Sequence, residues 1–149
     1  RRVCMILDIK YWSAPIPEVV EHRIVQFAEK CEIGEHYDTA CDMVYTMQEQ
    51  GEIVAVIALR RVLFTDGRVI PRWEHVILSE SVRRNKKGLF FLLTVEQQIQ
   101  ELGFSQLWAY INKVKQEMYD YAIKFGFKEY AHDDNGNFLK KDLNQKRRF

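Results

Sequence analysis

Four cations, Arg83, Arg84, Lys86 and Lys87, crowd together immediately before Gly88, and a periodic apolar stretch follows them. Leu92, Val95, Ile99 and Leu102 recur at a spacing that puts them on one face, so the stretch reads as a long helix. The N-terminus of a helix carries unpaired N–H groups and the positive end of the helix dipole. With basic side chains beside it, such an end suits a phosphate or a pyrophosphate. The same residues also read as a solvated basic turn at a helix start.

The elements around this stretch decide what it can face. Val3 to Ile9 reads as a first strand, and a helix runs from Pro17 with Val20, Ile24, Phe27, Ala28 and Cys31 on one face until Gly34. Glu35 to Ala40 is either a short helix or a loop; His36, Tyr37 and Asp38 lie in it and read first as surface polarity, with a substrate-facing role as the lesser alternative. Asp42 to Leu63 reads as a hairpin turning at Gln50-Gly51-Glu52, its second arm apolar from Ile53 to Leu59 as for a strand covered on both faces. Asp66-Gly67 turns the chain again, Pro71 delays the next strand, and Trp73 to Ser79 carries it. That strand leads into the basic loop and the long helix, which Gly103 closes. Gln106 to Ile111 is then a short buried strand, parallel to Trp73–Ser79 because a helix joins them. A last helix spans Lys113 to Phe125, with Val114, Met118, Tyr121, Ala122 and Phe125 inward. A hairpin about Asp134-Asn135-Gly136 follows, with Phe127–His132 and Asn137–Leu143 as its arms. The sum is an α/β fold: an antiparallel meander, then a βαβ core, in one mixed sheet with helices on both faces.

Bulk properties bound the rest. The chain has 149 residues, 47% of them hydrophobic and 29% charged, which suits one soluble domain. A net charge of +1 gives no global field toward nucleic acid or membrane. No apolar run reaches the ~20 residues that span a bilayer. The first residues lack the features of a signal peptide. Three cysteines, Cys4, Cys31 and Cys41, form no CxxC pair and the histidines are dispersed, so the sequence points to a reducing, cytoplasmic setting with no metal site.

The element order, with GEIVAVIALR on the third strand, RRNKKGLF at the loop and YAIKFGF ending the last helix, resembles the GNAT superfamily of acyl-CoA-dependent N-acyltransferases. In order of elements the resemblance covers nearly the whole chain. The family's cofactor loop has the pattern Q/R-x-x-G-x-G/A, matched here by Asn85 to Phe90. Gly88 fits; Asn85 and Phe90 depart. Small residues there let backbone N–H groups approach a pyrophosphate, and Phe90 adds bulk. If its ring faces the core, binding survives; if it faces the cofactor, binding suffers.

The resemblance implies acetyl-CoA as co-substrate, with its pyrophosphate on the backbone from Lys86 through Gly88, Leu89 and Phe90, and charge from Arg83, Arg84 or Lys87. It places the pantetheine arm along Glu80 and Val82, read as strand residues, beside the Gln106–Ile111 strand. Asn112 reads as N-cap of the last helix, and the resemblance adds a cofactor contact there. Where many members carry a general-acid tyrosine this chain has Ala122, which leaves Tyr119 and Tyr121 as the nearby phenols. Aligned on Gly88, Glu74 falls where histone-acetylating members carry a catalytic glutamate. An amine must lose a proton before it attacks a thioester, and a carboxylate in apolar surroundings can take it near neutrality. The neighbours Trp73, Val76, Ile77 and Leu78 supply such surroundings. By strand alternation His75 faces opposite to Glu74. A solvated carboxylate paired with an arginine is the competing reading of Glu74.

The implied activity is acetyl transfer from acetyl-CoA to an amine on a small molecule or a protein. The departures at Asn85, Phe90 and Ala122 keep a second reading open: a GNAT-like module without catalysis. Nucleic-acid binding through the basic loop is disfavoured, because no aromatic side chains interleave with those cations in a single-strand pattern.

Overall fold

The computed structural model describes residues 7–31, 37–83 and 85–143. Cys4, His36, Gly34, Arg84, the start of the first expected strand and the tail from Gln145 lie outside them. The elements run β1 (Leu7–Ser13), α1 (Glu18–Cys31), β2 (Met43–Glu49), β3 (Glu52–Leu63), β4 (Val69–Leu78), α2 (Glu80–Arg83), α3 (Lys86–Glu101), β5 (Gln106–Asn112), α4 (Gln116–Lys124), β6 (Lys128–His132) and β7 (Gly136–Asp142). They build a mixed seven-stranded sheet in the order β1-β2-β3-β4-β5-β7-β6. β4 and β5 pair in parallel, at Arg72–Trp108 and Trp73–Ala109. The crossover geometry read from the sequence is therefore present, and β7 returns antiparallel between β5 and β6.

The chain divides into two compact units, one comprising the residues up to Arg60 with Glu74–Gln97, the other Arg61–Trp73 with Gln98 onward. In the first, α1 buries Ile24, Phe27 and Ala28 against Val44, Val56, Ala58 and Ile77 of β2, β3 and β4. Val20 and Cys31 complete that stripe at partial burial. β2 is buried at every position from Met43 to Met47 and β3 from Ala55 to Leu59, so both faces of these strands are covered. In the second unit Trp73 packs on Phe125 and Phe127, with centroids 6.2 and 4.6 Å away. Leu107, Ala109, Ile111 and Leu139 are buried with them.

Several expectations need correction. β4 begins at Val69 and contains Pro71, because a strand tolerates proline where the missing N–H has no ladder bond to make. Glu80 and Val82 are not strand residues. β4 ends at Leu78, and the Val82 and Arg83 N–H groups turn back onto the Ser79 carbonyl. In α3 the core positions are Phe91, Leu92, Val95 and Ile99, while Leu102 lies beyond the helix and is 53% exposed. α4 begins at Gln116 and leaves Val114 exposed outside it. Asn112 ends β5 and does not cap α4. Its side chain accepts the Val114 N–H and its carbonyl the Lys115 N–H, which closes a turn that delays the helix.

Candidate active site

The first unit gathers a polar cluster about Arg60 of β3, Glu74 and His75 of β4, and the loop at Asp38. Asp38 is its hub. One carboxylate oxygen accepts the Ala40 N–H at 2.8 Å and the other accepts from Nη2 of Arg60. The Asp38 N–H donates to Nε2 of His75 at 3.0 Å, which requires that nitrogen to be unprotonated. Nε of Arg60 lies 3.1 Å from Oε1 of Glu74, a charge contact without hydrogen-bond alignment. The Tyr37 ring lies 4.9 Å from the His75 ring. The Ala40 amide, followed by Arg60, holds the Asp38 carboxyl below the usual carboxylate range. Burial pushes the Tyr37 phenol up.

Glu74 and His75 both reach the cluster about Asp38, Glu74 through Arg60 and His75 through the Asp38 N–H. Arg60 is long enough to bridge β3 to both the Asp38 loop and Glu74, while His75 takes the backbone of the same loop. Trp73 packs on Phe127, Ile77 joins the α1 core and Leu78 lies beside Gly88, while a guanidinium, that of Arg60, stands against Glu74. Arg60 was not singled out by sequence, and Tyr37 and Asp38 read there first as surface polarity. The Asp38–Arg60 pairing spans 22 residues and joins a loop to a strand, so no local pattern carries it.

Cys41 sits beside this cluster, 3% exposed. Burial, then the Asp38 and Glu74 carboxylates, push its thiol up to about 12. At neutral pH it is a protonated thiol and a poor nucleophile.

The start of α3 lies in the same unit. Asn85 caps it: Oδ1 accepts the Lys87 N–H at 2.8 Å, and Nδ2 donates to the Ser81 carbonyl at 2.6 Å. Helix geometry leaves the Lys86 and Gly88 N–H groups without intrahelical partners, and it commits those of Leu89 and Phe90 to the helix ladder. The backbone cradle is thus narrower than the loop motif implies. Gly88 is buried, and a Cβ there would stand 3.2 Å from the Val82 carbonyl and 3.4 Å from Leu78 Cδ1. Its smallness serves the packing of α3 on α2 as well as any anion. The cations are partly engaged. Lys87 pairs with Glu49 of β2 at 2.6 Å, and Nε of Arg83 donates to the Leu78 carbonyl at 2.9 Å. Lys86 is exposed, and so is Phe90, at 52%. The Phe90 ring does not enter the core; Phe91 does.

Tyr119 and Tyr121 belong to the second unit. The Tyr119 hydroxyl donates to Oε1 of Glu129 at 2.9 Å, and that bond raises its pKa. Burial raises that of Tyr121. Among the described residues no group of His, Cys, Asp and Glu is arranged to hold a metal ion. No helix is long and apolar enough to cross a membrane.

No protein-family profile and no curated protein matches the sequence. Solved structures do match. Ard1 from Thermoplasma volcanium superposes with a TM-score of 0.72 at 16% identity, covering 93% of this chain and 99% of that one. A GNAT-family acetyltransferase from Staphylococcus aureus gives 0.69 at 14%, covering 91% and 99%. PaiA N-acetyltransferase from Thermoplasma acidophilum, in complex with coenzyme A, gives 0.57 at 16%; there the match covers 66% of this chain and 59% of that one. The fold of this chain is that of the GNAT-family N-acetyltransferases.

Proposed function

We propose that the protein transfers an acetyl group from acetyl-CoA to an amine by direct attack. The observation that carries the reading is the course of β4. It delivers the partly buried carboxylate of Glu74, then passes through α2 into a helix whose first turn holds Lys86, Lys87 and Gly88. The Lys86 and Gly88 N–H groups and the Lys86 ammonium bind the pyrophosphate of CoA, with Lys87 and Arg83 adding charge once drawn from Glu49 and Leu78. Helical Glu80 is exposed and lines the arm, whereas Val82 is buried and its N–H is already taken.

Glu74 accepts a proton from the incoming ammonium, directly or through one water. The freed nitrogen attacks the thioester carbonyl, and the tetrahedral intermediate collapses with cleavage of the C–S bond. The departing thiolate takes a proton from solvent. Arg60 fixes one Glu74 oxygen, and Asp38 in turn fixes Arg60. The protonated Cys41 thiol argues against an acetyl-cysteine intermediate.

The departures at Asn85 and Ala122 and the exposed Phe90 favour the alternative of a non-catalytic module. Acetyl-CoA separates the two. A ligand at ~100 times its Kd stabilises the native state by about 2.7 kcal/mol. A clear rise in Tm with acetyl-CoA, followed by release of free thiol with a panel of amines, is expected. An unchanged Tm at millimolar acetyl-CoA would remove the reading.

A further inference from the structure

The second unit carries a sheet face that acetyl transfer does not use. On β5, Leu107, Ala109 and Ile111 are buried, while the alternate residues Trp108 and Tyr110 remain partly exposed on the other side. Their cross-strand partners on β7 are Lys140 and Phe138. Tyr130 of β6 joins the same surface at 42% exposure. The rings form a continuous chain. Phe64 meets Trp108 at 5.0 Å, Trp108 meets Tyr130 at 5.2 Å, Tyr130 meets Phe138 at 6.2 Å, and Phe138 meets Tyr110 at 4.7 Å. The polar ends are occupied: the Trp108 indole N–H donates to Gln106 and the Tyr110 hydroxyl to Asp133. What the face offers a partner is π surface.

It also offers cations. Lys140 Nζ lies 5.3 Å from the Tyr130 ring centre. Lys128 stands directly opposite Lys140 in the ladder, and Arg72 opposite Trp108. Like charges facing each other across strands repel. An anion between them would turn that repulsion into attraction. Arg68 lies over Phe64 but is matched by Asp66 at 2.8 Å. A purely apolar partner would have to strip water from Lys128 and Lys140 without pairing them. A polymer that alternates flat bases with phosphates uses both features, since stacking on aromatic side chains and a cationic track together make a single-strand platform.

We propose that this face of β5, β7 and β6 binds single-stranded nucleic acid, with bases on Tyr130, Trp108 and Phe138 and phosphates on Lys128 and Lys140. The proposal is independent of the acetyl-transfer reading and of the basic loop at α3.

The test is fluorescence anisotropy of a short labelled oligothymidylate with the full chain, at about 50 and about 200 mM salt. Binding that weakens with salt and prefers single strand to duplex is expected. Tyr130→Ala should weaken it about tenfold, and Lys128→Glu with Lys140→Glu should abolish it. Circular dichroism and the acetyl-CoA response should match the parent. Should Tyr130→Ala misfold, Tyr130→Leu and the lysine pair carry the same test. No binding at low salt overturns the proposal. So does binding that survives both sets of changes, which would put the oligonucleotide elsewhere. Concentration-dependent self-association that Tyr130→Ala abolishes, without oligonucleotide binding, would give the face to a second copy of the chain.

Discussion

At the scale of single residues, the cluster about Asp38 concentrates what can be tested. Glu74→Gln removes the proton acceptor and keeps the shape. If Glu74 is the base, turnover near neutrality should fall about a hundredfold, within the usual range for general-base loss. The loss should shrink at high pH as the amine deprotonates unaided, with CoA affinity unchanged. A parent-like pH–rate profile would exclude Glu74. Asp38 makes a second prediction. Its carboxyl titrates below the ordinary value in the native state. Such a group contributes stability that is present above the unfolded-state pKa and is lost as pH falls through the folded one. Asp38→Asn should therefore flatten the fall in stability below about pH 4. The side chain is 42% exposed, so the neutral-pH cost should stay under about 1 kcal/mol. Urea denaturation at a series of pH values measures both.

At the scale of elements, α3 shows how a helix can satisfy a motif and the core at once. Phe91 is fully buried while Phe90 is 52% exposed. Phe91→Ala should cost about 3–5 kcal/mol, and Phe90→Ala no more than about 0.5 kcal/mol. Chemical denaturation of the pair checks the helix register, and an acetyl-CoA titration of Phe90→Ala asks whether that ring obstructs the cofactor. Gly88 makes a sharper case. At an open helical position Gly→Ala would gain about 1 kcal/mol. Here the new methyl meets the Val82 carbonyl at 3.2 Å, and that carbonyl is backbone within the α2 turn. Gly88→Ala should therefore destabilise, and Gly88→Asp should lose stability as well as CoA affinity. A stabilised Gly88→Ala would show that α2 yields easily.

For the whole molecule, β3 and β4 run without interruption through both compact units. One cooperative unfolding transition is the expected consequence, because neither strand can melt in one unit without loosening the other. Gly136 provides the probe. A Cβ there would lie 2.6 Å from the Ile111 carbonyl and 2.7 Å from the Tyr110 ring. Gly136→Ala should cost more than about 2 kcal/mol, since backbone and a packed ring must both shift. Near-ultraviolet and far-ultraviolet melting of this variant should coincide at a lower temperature. Two separated transitions would mean that the units fold apart.

The sequence by itself determined the order of elements apart from α2, the two tight hairpins and the parallel crossover. Those follow from local signals: period, turn residues such as Gln50-Gly51, and a helix between two short apolar strands. It also located Glu74 and Gly88, on the strand and at the helix start that position them. It misjudged boundaries where side chains rewrite the local pattern, as Asn112 does by closing a turn and Asn85 by capping α3. Only the tertiary structure could decide which groups meet. The Asp38–Arg60–Glu74 contacts, the engagement of Lys87 by Glu49 and the aromatic face across β5, β7 and β6 all join residues distant in the chain. Such contacts depend on strand register and side-chain reach in three dimensions, and periodicity along one dimension does not contain them.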